Sequence, residues 1–571
     1  MSKAVKEAVE RDVGKDLVSA MVNLSRGEIE RLDGLSRDEF LRKTNAHEHV
    51  LDEEAFRSLK KAAHERLISL GLANPKEMAF GPGTYLIVGD SHGKHTRTKM
   101  FDLLKNLQAQ FGFDKVVHVG HALDDDNVIS YWWKDFPNLV VLSKQEELAV
   151  VEQHRREWGN FAISRESVRL GNLLVRNQDL ITDYVKTSIK GLDQHIFDRT
   201  AVVNCHRHEW FSRCSFRRTV FTVSPGCVCE PHIVKTIKQI DFTSGYQVRE
   251  ARPEGFIKYR RMRDMYRFWE QGVLIVHVDE RGDFTIVPCR IYMVNGQYST
   301  VYMDKVYTET GTETPSLKVF LNTDLHCSDY DPAVLALQND FVQDFKPDVY
   351  VNMGDMQNNR AFNHHEIDKG VRIDCDSVQE DAPVFYLLRR MAEWAPMRYL
   401  MYGNHERFVK DFAKRMPQYA TMFKGSLRSA LNESNYVLYD HRDVLSIGDM
   451  RCIHGDAYLF GQTGTLLEKV ARTFGSCTAI GHLHSTTIRF GCYMLGMSGK
   501  LLQGYNEEAS SWNLGFGTCV QYGGQAWITP WSITSGKVIT RGRTYTGAGR
   551  KEWVVPEFQY RVVYDFQPSG V

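Results

Sequence analysis

Val319-Phe320-Leu321-Asn322-Thr323-Asp324-Leu325-His326 and Cys477-Thr478-Ala479-Ile480-Gly481-His482-Leu483-His484 bound the stretch whose reading decides the fold. In each, an apolar, β-branched run ends in a short polar cluster. Three more clusters lie between them: Gly354-Asp355 behind Val349-Tyr350-Val351, then Gly403-Asn404-His405-Glu406, then His454-Gly455-Asp456. Such a run, followed by Gly and polar residues, reads as a buried strand passing into a loop. All five clusters then sit at the carboxyl ends of strands, where α/β sheets hold ligands.

The residue types suit chemistry at phosphorus. Two divalent cations roughly 3.5–4 Å apart can clamp both the attacking and the leaving oxygen of an in-line displacement. Holding them that close requires an anion between them, and a carboxylate flanked by imidazoles supplies it. A mixed nitrogen and oxygen ligand set suits Mn, Fe, Zn, Co or Ni better than Ca or Mg, which take oxygen alone. One Asp-x-His or one Gly-His-x-His is a weak signal, whereas five clusters in this order are a strong one.

The set Asp-x-His, Gly-Asp, Gly-Asn-His-Glu, His-Gly and Gly-His-x-His resembles the calcineurin-like metallophosphoesterase superfamily, which includes protein phosphatases, cyclic-nucleotide phosphodiesterases and double-strand-break repair nucleases. The resemblance implies two divalent metal ions, with Mn favoured. Asp324, His326 and His484 would hold one, Asn404, His454 and His482 the other, and Asp355 would bridge them. It further implies that His405 sits over the leaving-group oxygen as general acid or transition-state stabiliser. Arg407 is a candidate phosphate contact, because a guanidinium matches phosphate oxygens in bidentate fashion. One position departs from the family pattern: three residues after the bridging Asp, where a second Asp is usual, this chain has Asn358. That departure bears on how the ligands are oriented rather than on metal binding.

At 571 residues the chain is too long for one core, and its length suggests roughly three or four domains. Its 71 basic and 71 acidic residues leave no whole-chain field to select a partner, so any nucleic-acid contact has to come from a local patch. The 11 cysteines lack repeated Cys-x-x-Cys pairs, which fits reduced thiols in a cytoplasmic compartment rather than a disulfide framework. Met1-Ser2-Lys3-Ala4-Val5-Lys6-Glu7 has no signal-peptide apolar region, and no apolar run approaches the roughly 18 residues of a membrane span. A soluble, cytoplasmic protein with no membrane partner is expected.

Residues 1–80 read as a small α-helical region. Val5, Val9, Val13, Leu17 and Met21 recur at four-residue spacing, and Ser36-Arg37-Asp38-Glu39 resembles a capped helix start. Short helices around Leu24–Ile29 leave two readings open, a helix-turn-helix and, favoured over it, a helical cap or homo-oligomerisation arm. Gly81-Pro82-Gly83 marks a boundary.

Beyond it the chain begins to repeat itself. Tyr85-Leu86-Ile87-Val88 leads into Gly89-Asp90-Ser91-His92-Gly93, a second Asp-x-His. Asp90 to His121 spans 31 positions, as does Asp324 to Asp355. In the same register Lys144-Gln145 replaces Asn404-His405, Asn177 replaces His454, and His206-Arg207-His208 replaces His482-Leu483-His484. Trp269 to Pro288 is 19 positions with Gly272 between, and Trp512 to Pro530 is 18 with Gly515 between. The expected fold class is therefore α/β, two tandem metallophosphoesterase domains, each a two-sheet β-sandwich flanked by helices. The expected bounds are 83–310 and 316–548, with an extended tail over 549–571.

The two copies are unequal. The first keeps Asp90, His92, His206 and His208 but has His121 in place of the bridging carboxylate. Lys144 would add a positive charge where the second cation belongs. Two metals are not expected there together. A single ion on Asp90, His92, His121 and His208 stays open beside an inactive copy kept for packing, substrate binding or regulation.

Insertions carry what specificity information there is. Asp355 to Asn404 is 49 positions against 23 for His121 to Lys144. The added residues include Asn358, Arg360, His364 and His365, candidate substrate contacts or solvated loop filler. Lys258–Trp269 interleaves basic and aromatic residues, as a phosphate-tracking, base-stacking segment or as a helix with a charged outer face. The expected function is hydrolysis of phosphate esters by a metal-bound hydroxide in the second copy. A phosphodiesterase or nuclease acting on DNA or RNA is favoured. A protein or small-molecule phosphomonoesterase, and a non-catalytic nucleic-acid or partner-binding scaffold, are the alternatives.

Overall fold

Apolar runs too short for helices, separated by polar turns, make the carboxyl-terminal half a mostly parallel sheet in the order 437–439, 397–401, 349–352, 317–322, 515–522, 525–532. The first four strands are parallel and the last two antiparallel. The central strand Leu317–Asn322 buries its last four residues, as expected of a parallel strand covered on both faces. The computed structural model describes residues 56, 77–91, 98–120, 122, 131–143, 148–159, 161–179, 200–204, 208–215, 218–229, 270–327, 329–363, 377–417, 431–458, 463–475, 477–503, 511–548 and 551–556.

Parallel neighbours need a crossover, and the first is the helix Pro332–Phe345. Asp331 starts it by accepting from the amides of Ala333 at 2.9 Å and Val334 at 3.4 Å, with Pro332 in the first turn. Lys346, at φ 51°, ends it, and Lys318 donates to the carbonyl of Phe345 at 2.8 Å. The helix lays Phe341 against Phe516 and Trp531, with ring centroids 4.8 and 5.0 Å away. Beside it, Phe320 packs edge-on to Trp394 at 5.4 Å, and the Trp394 indole donates to Asn339 of the same helix at 3.1 Å.

A second sheet contains the strands Leu445–Ile447, Met450–Ile453, Thr478–Ile480, Cys492–Met494 and Thr487–Arg489 in that spatial order. The helix Thr463–Phe474 seats Leu467 and Val470 on Ile453, Ile480, Cys492 and Met494. The sheet does not stop at the half it belongs to. Past Thr487–Arg489 it continues into His208–Ser215, Arg218–Pro225, Ala201–Asn204 and Leu173–Asp179 of the amino-terminal half.

That half has its own parallel sheet, ordered 284–290, 272–278, 83–88, 115–119, 139–142. Its order and strand senses match those of the first sheet described. The two halves also meet through the hairpin 537–540/543–546, where the Ile539 amide donates to Thr285 Oγ1 at 2.8 Å and Lys537 pairs with Asp279 and Asp283 at 2.7 Å.

The chain divides into two compact units, Met1–Met78 with Ile163–Ser167, and Ala79–Ala162 with Val168–Val571. In the smaller unit Ser167 Oγ donates to Glu77 at 2.9 Å, and Ser164 Oγ to the Ser167 carbonyl at 2.7 Å. Within the stretch expected to be helical, Glu77–Phe80 is a strand; apart from Phe56, residues 1–76 lie outside the described residues. So do Lys258–Trp269 and most of the tail. The described start of the tail docks on its own half, with Trp553 buried 5.6 Å from Trp394. Cys227, Cys229, Cys289, Cys327, Cys452, Cys477, Cys492 and Cys519 are buried free thiols. Among the described residues, no helix is long and apolar enough to cross a membrane.

Candidate metal centre

Each polar cluster follows a strand: Leu317–Asn322, Val349–Asn352, Met397–Met401, Met450–Ile453 and Thr478–Ile480. The third does not form a loop, because Asn404 opens the helix Asn404–Arg415. At five ligand positions the chain turns back in the left-handed region, with φ 55° at Asp324, 48° at His326, 50° at Asp355, 68° at His482 and 55° at His484. Residues with a Cβ adopt this conformation at a cost of about 1–3 kcal/mol each, and it persists where the surroundings over-determine it. Gly354 and Gly403 make the tight turns workable: a Cβ would fall 2.5 Å from His454 Nδ1 at the first and 2.1 Å from Asp355 Oδ1 at the second.

The turns bring two ligand groups together, Asp324, His326, Asp355 and His484 in one and Asp355, His454 and His482 in the other. Asp355 belongs to both. In the first, His484 Nε2 lies 3.1 Å from Asp324 Oδ1 and 3.2 Å from His326 Nε2, and His326 Nε2 lies 4.0 Å from Asp355 Oδ2. In the second, His454 Nε2 lies 3.3 Å from Asp355 Oδ2 and 3.1 Å from Asn404 Oδ1. Ligand atoms about 2.0–2.2 Å from a tetrahedral or octahedral cation stand about 2.8–3.6 Å apart, so most of these separations are those of atoms around a shared ion.

The electrostatics also call for cations. Asp324 and Asp355 are fully buried, and among the described residues the cationic side chains within 4 Å of them are imidazoles. Burial raises both carboxyls, but the facing imidazoles prevail, His484 first at Asp324, held at about 2, and His454 first at Asp355, held well below the usual range. Burial would lower His454, yet Asp355 and then Asp324 lift it to about 10. Without a metal, a proton on His454 supplies the positive charge this pair of carboxylates demands. Burial and neighbouring imidazoles push His326 down and hold His482 at about 4, which leaves neutral nitrogen ligands.

A further layer fixes the ligands. His454 Nδ1 donates to the Met353 carbonyl at 2.9 Å and His405 Nδ1 to the Asn358 carbonyl at 2.7 Å, which turns each Nε2 inward. Asp324 Oδ2 accepts from Thr323 Oγ1 at 2.6 Å and the His482 amide at 3.0 Å, leaving Oδ1 for the site. Glu406 takes the amides of Gly403 at 2.7 Å, Gln357 at 2.9 Å and Asp355 at 3.2 Å, binding two ligand-bearing turns together. Burial and the neighbouring Asp355 charge push its carboxyl up to about 7.

The remaining expected residues fall as follows. His405 lies 4.6 Å from His326, ring to ring, and its amide donates to Asp355 Oδ1 at 3.0 Å. Arg407, half-exposed, is engaged by Asp411 at 3.0 Å and Asp456 at 3.7 Å. Asn358 is fully buried and its amide group donates to Asp329 at 2.7 Å. Arg360 donates to the Gln503 carbonyl and lies 3.8 Å from Asp329. Asp90 and His208 are buried in the other half, His208 Nδ1 donating to the Pro225 carbonyl at 2.8 Å. His92, His121, His206, His364 and His365 lie outside the described residues.

Sequence reasoning gave no role to Glu406, Thr323 or Trp512, whose indole meets the His484 ring edge-on at 4.1 Å. The only available signals were the capping spacing from Gly403 to Glu406 and the hydroxyl preceding Asp324.

No protein-family model matches the chain, and no curated protein does. Parts of it are similar to Vacuolar Protein Sorting 29 from Cryptosporidium parvum, with 12% identity over 38% of this chain and 98% of that one, at a TM-score of 0.23. Others are a nuclease from Pseudomonas putida, at 14% identity, 42% and 99% coverage and TM-score 0.20, and a phosphoesterase from E. coli, at 15% identity, 35% and 87% coverage and TM-score 0.19.

Proposed function

We propose that the carboxyl-terminal half, about residues 316–548, is a dinuclear metal-dependent phosphoesterase, and that residues 83–310 are a copy of the same domain whose own centre has degenerated. One observation carries the reading: Asp355 is shared by two buried groups of carboxylate and imidazole ligands. The matching strand order of the two parallel sheets supports the duplication.

Held by these groups, a pair of divalent cations would activate a water and neutralise charge gathering on the phosphoryl oxygens. The chain's own residues do the rest. His405 stands in the first turn of Asn404–Arg415, where helix amides favour an anion. With Nδ1 committed to the Asn358 carbonyl, its Nε2 is the nitrogen that can hand a proton to a leaving oxygen. Asp355 keeps that imidazole in place through the His405 amide. The favoured substrate is a phosphodiester, nucleic-acid strands included, on the strength of the basic and aromatic residues of Lys258–Trp269.

The test is protein stripped of metal, reloaded with Mn and offered bis-p-nitrophenyl phosphate, p-nitrophenyl phosphate, cyclic dinucleotide, single- and double-stranded DNA and a phosphopeptide. Diester turnover that requires Mn is expected. Turnover of monoesters alone would assign a phosphomonoesterase, and bound Mn with no turnover on any substrate would assign a scaffold.

A further inference from the structure

We infer that the amino-terminal half is a positioning element of the metal centre, with Ser212 and Thr219 bracing the two segments that aim His484 at its cation. This rests on the dinuclear reading above. His454 and His405 are each oriented by a carbonyl on Nδ1. His484 is not: its Nδ1 is buried without a hydrogen-bond partner, and its backbone is left-handed at φ 55°. A ligand imidazole usually has its second nitrogen fixed by a carbonyl or carboxylate, so His484 needs another restraint.

That restraint comes from the segments on either side. The Asn513 amide donates to the His484 carbonyl at 2.8 Å. Asn513 Oδ1 accepts from the Thr486 amide at 2.6 Å, and its Nδ2 donates to Thr486 Oγ1 at 2.8 Å. The Trp512 indole meets the imidazole itself at 4.1 Å. Thr486, Trp512 and Asn513 therefore form one brace behind the ligand.

The outer side of the brace is held by the other half. Thr487–Arg489 pairs antiparallel with His208–Ser215 at Ile488↔Trp210. Two residues further along that register Ser212 stands opposite Thr486, and its hydroxyl donates to the Thr486 carbonyl. On the adjacent strand Arg218–Pro225, the Thr219 hydroxyl donates to the Trp512 carbonyl. Buried Glu209 and half-buried Arg489, 3.6 Å apart, close the seam. Both outward carbonyls of the brace are thus capped by hydroxyls from the degenerate half, and a carbonyl left there without a donor would pull its segment toward water.

The experiment uses the full chain carrying Ser212→Ala with Thr219→Val, and Thr219→Val and Thr219→Ser singly. Mn binding is followed by calorimetry and by the electron paramagnetic resonance signal of the spin-coupled pair. Circular dichroism and thermal unfolding of the metal-free protein report the fold. The double variant is expected to keep its fold, weaken one of the two Mn steps by about tenfold or more, and lose the coupled signal at Mn levels that saturate the wild type. Thr219→Val alone should show the same shift in smaller measure, and Thr219→Ser should restore it. Wild-type affinity at both steps in the variants, whatever their melting temperature, overturns the inference. A wild-type protein that binds no Mn overturns the dinuclear reading itself.

Discussion

Asp355→Asn keeps the shape of the shared ligand and removes its charge. The amide oxygen can still accept the His405 amide, now 3.0 Å from Asp355 Oδ1. What it cannot do is stand as an anion between two cations. At an effective dielectric of about 20, two dications about 4 Å apart repel by roughly 17 kcal/mol, and one bridging charge about 2 Å from each attracts the pair by roughly 33 kcal/mol. On the dinuclear reading proposed above, removing the bridge reverses that balance, and the variant should hold one cation in place of two. Turnover of bis-p-nitrophenyl phosphate should fall by at least about 10³-fold, because the clamp on both displaced oxygens is gone. Metal content per chain, read by inductively coupled plasma mass spectrometry after dialysis, gives the stoichiometry, and circular dichroism confirms that the isosteric side chain still fits. A folded Asp355→Asn protein that retains two tightly bound ions and turns over within tenfold of wild type would refute the bridging role.

His405→Ala should leave both ions bound and lower turnover by about 10²–10⁴-fold, whereas Asp90→Ala should leave turnover within about twofold. An equal loss from Asp90→Ala would move the active centre to the other half. Glu406→Gln turns one acceptor of the three-amide clamp into a donor facing an N–H. With bonds to a charged group at about 1.5–3 kcal/mol each, the metal-loaded protein should lose about 2–3 kcal/mol in urea unfolding; an unmoved midpoint would show that the clamp does not matter. Burial first, then Arg541, holds the His277 imidazole down at about 3, so the unfolded chain takes up its proton first as pH falls. The stability involved is complete above about 6.5 and drains away towards pH 3, of order 4 kcal/mol in all. His277→Gln, able to keep partners in Thr84 and Tyr302, should flatten the urea midpoint between pH 7 and 4, and a wild-type slope would count against it.

The ligand clusters were legible because each is a few contiguous residues at the end of a buried strand, and strand ends are marked locally by apolar runs passing into Gly and polar residues. Asp324 and His484 are 160 positions apart, yet each carries its own signal. The left-handed turns were not legible. Asp and His at φ between 48° and 68° run against backbone preference, and only the flanking glycines hint at the tight path. Glu406 was visible as the last residue of Gly-Asn-His-Glu, but its partners Asp355 and Gln357 lie 51 and 49 positions away and are chosen by tertiary packing. Asn358 shows the same limit from the other side: a polar residue beside the site reads alike whether it lines the mouth or, as its buried amide and carbonyl do here, ties Asp329 and His405 in place. The hydroxyl contacts from Ser212 and Thr219 join residues 274 and 293 positions apart and leave no trace in local pattern.

On the duplication proposed above, the seam also accounts for which residues of the first copy persist. His208, at the position of ligand His484, commits Nδ1 to the Pro225 carbonyl and its amide to Glu270 at 3.1 Å, with Gly272 close against its ring. Burial, with Arg290 adding to it, holds it neutral at about 4. Those bonds anchor the start of His208–Ser215, the strand that carries Glu209, Trp210 and Ser212 to the neighbouring half. Without that strand, Thr487–Arg489 would become an open sheet edge three residues from the proposed ligand His484, with Arg489 stripped of its buried partner. A copy that has lost its bridging carboxylate is then still constrained along this edge. On the inference above, the residues along it that keep His484 in line give a reason for the two halves to remain in one chain.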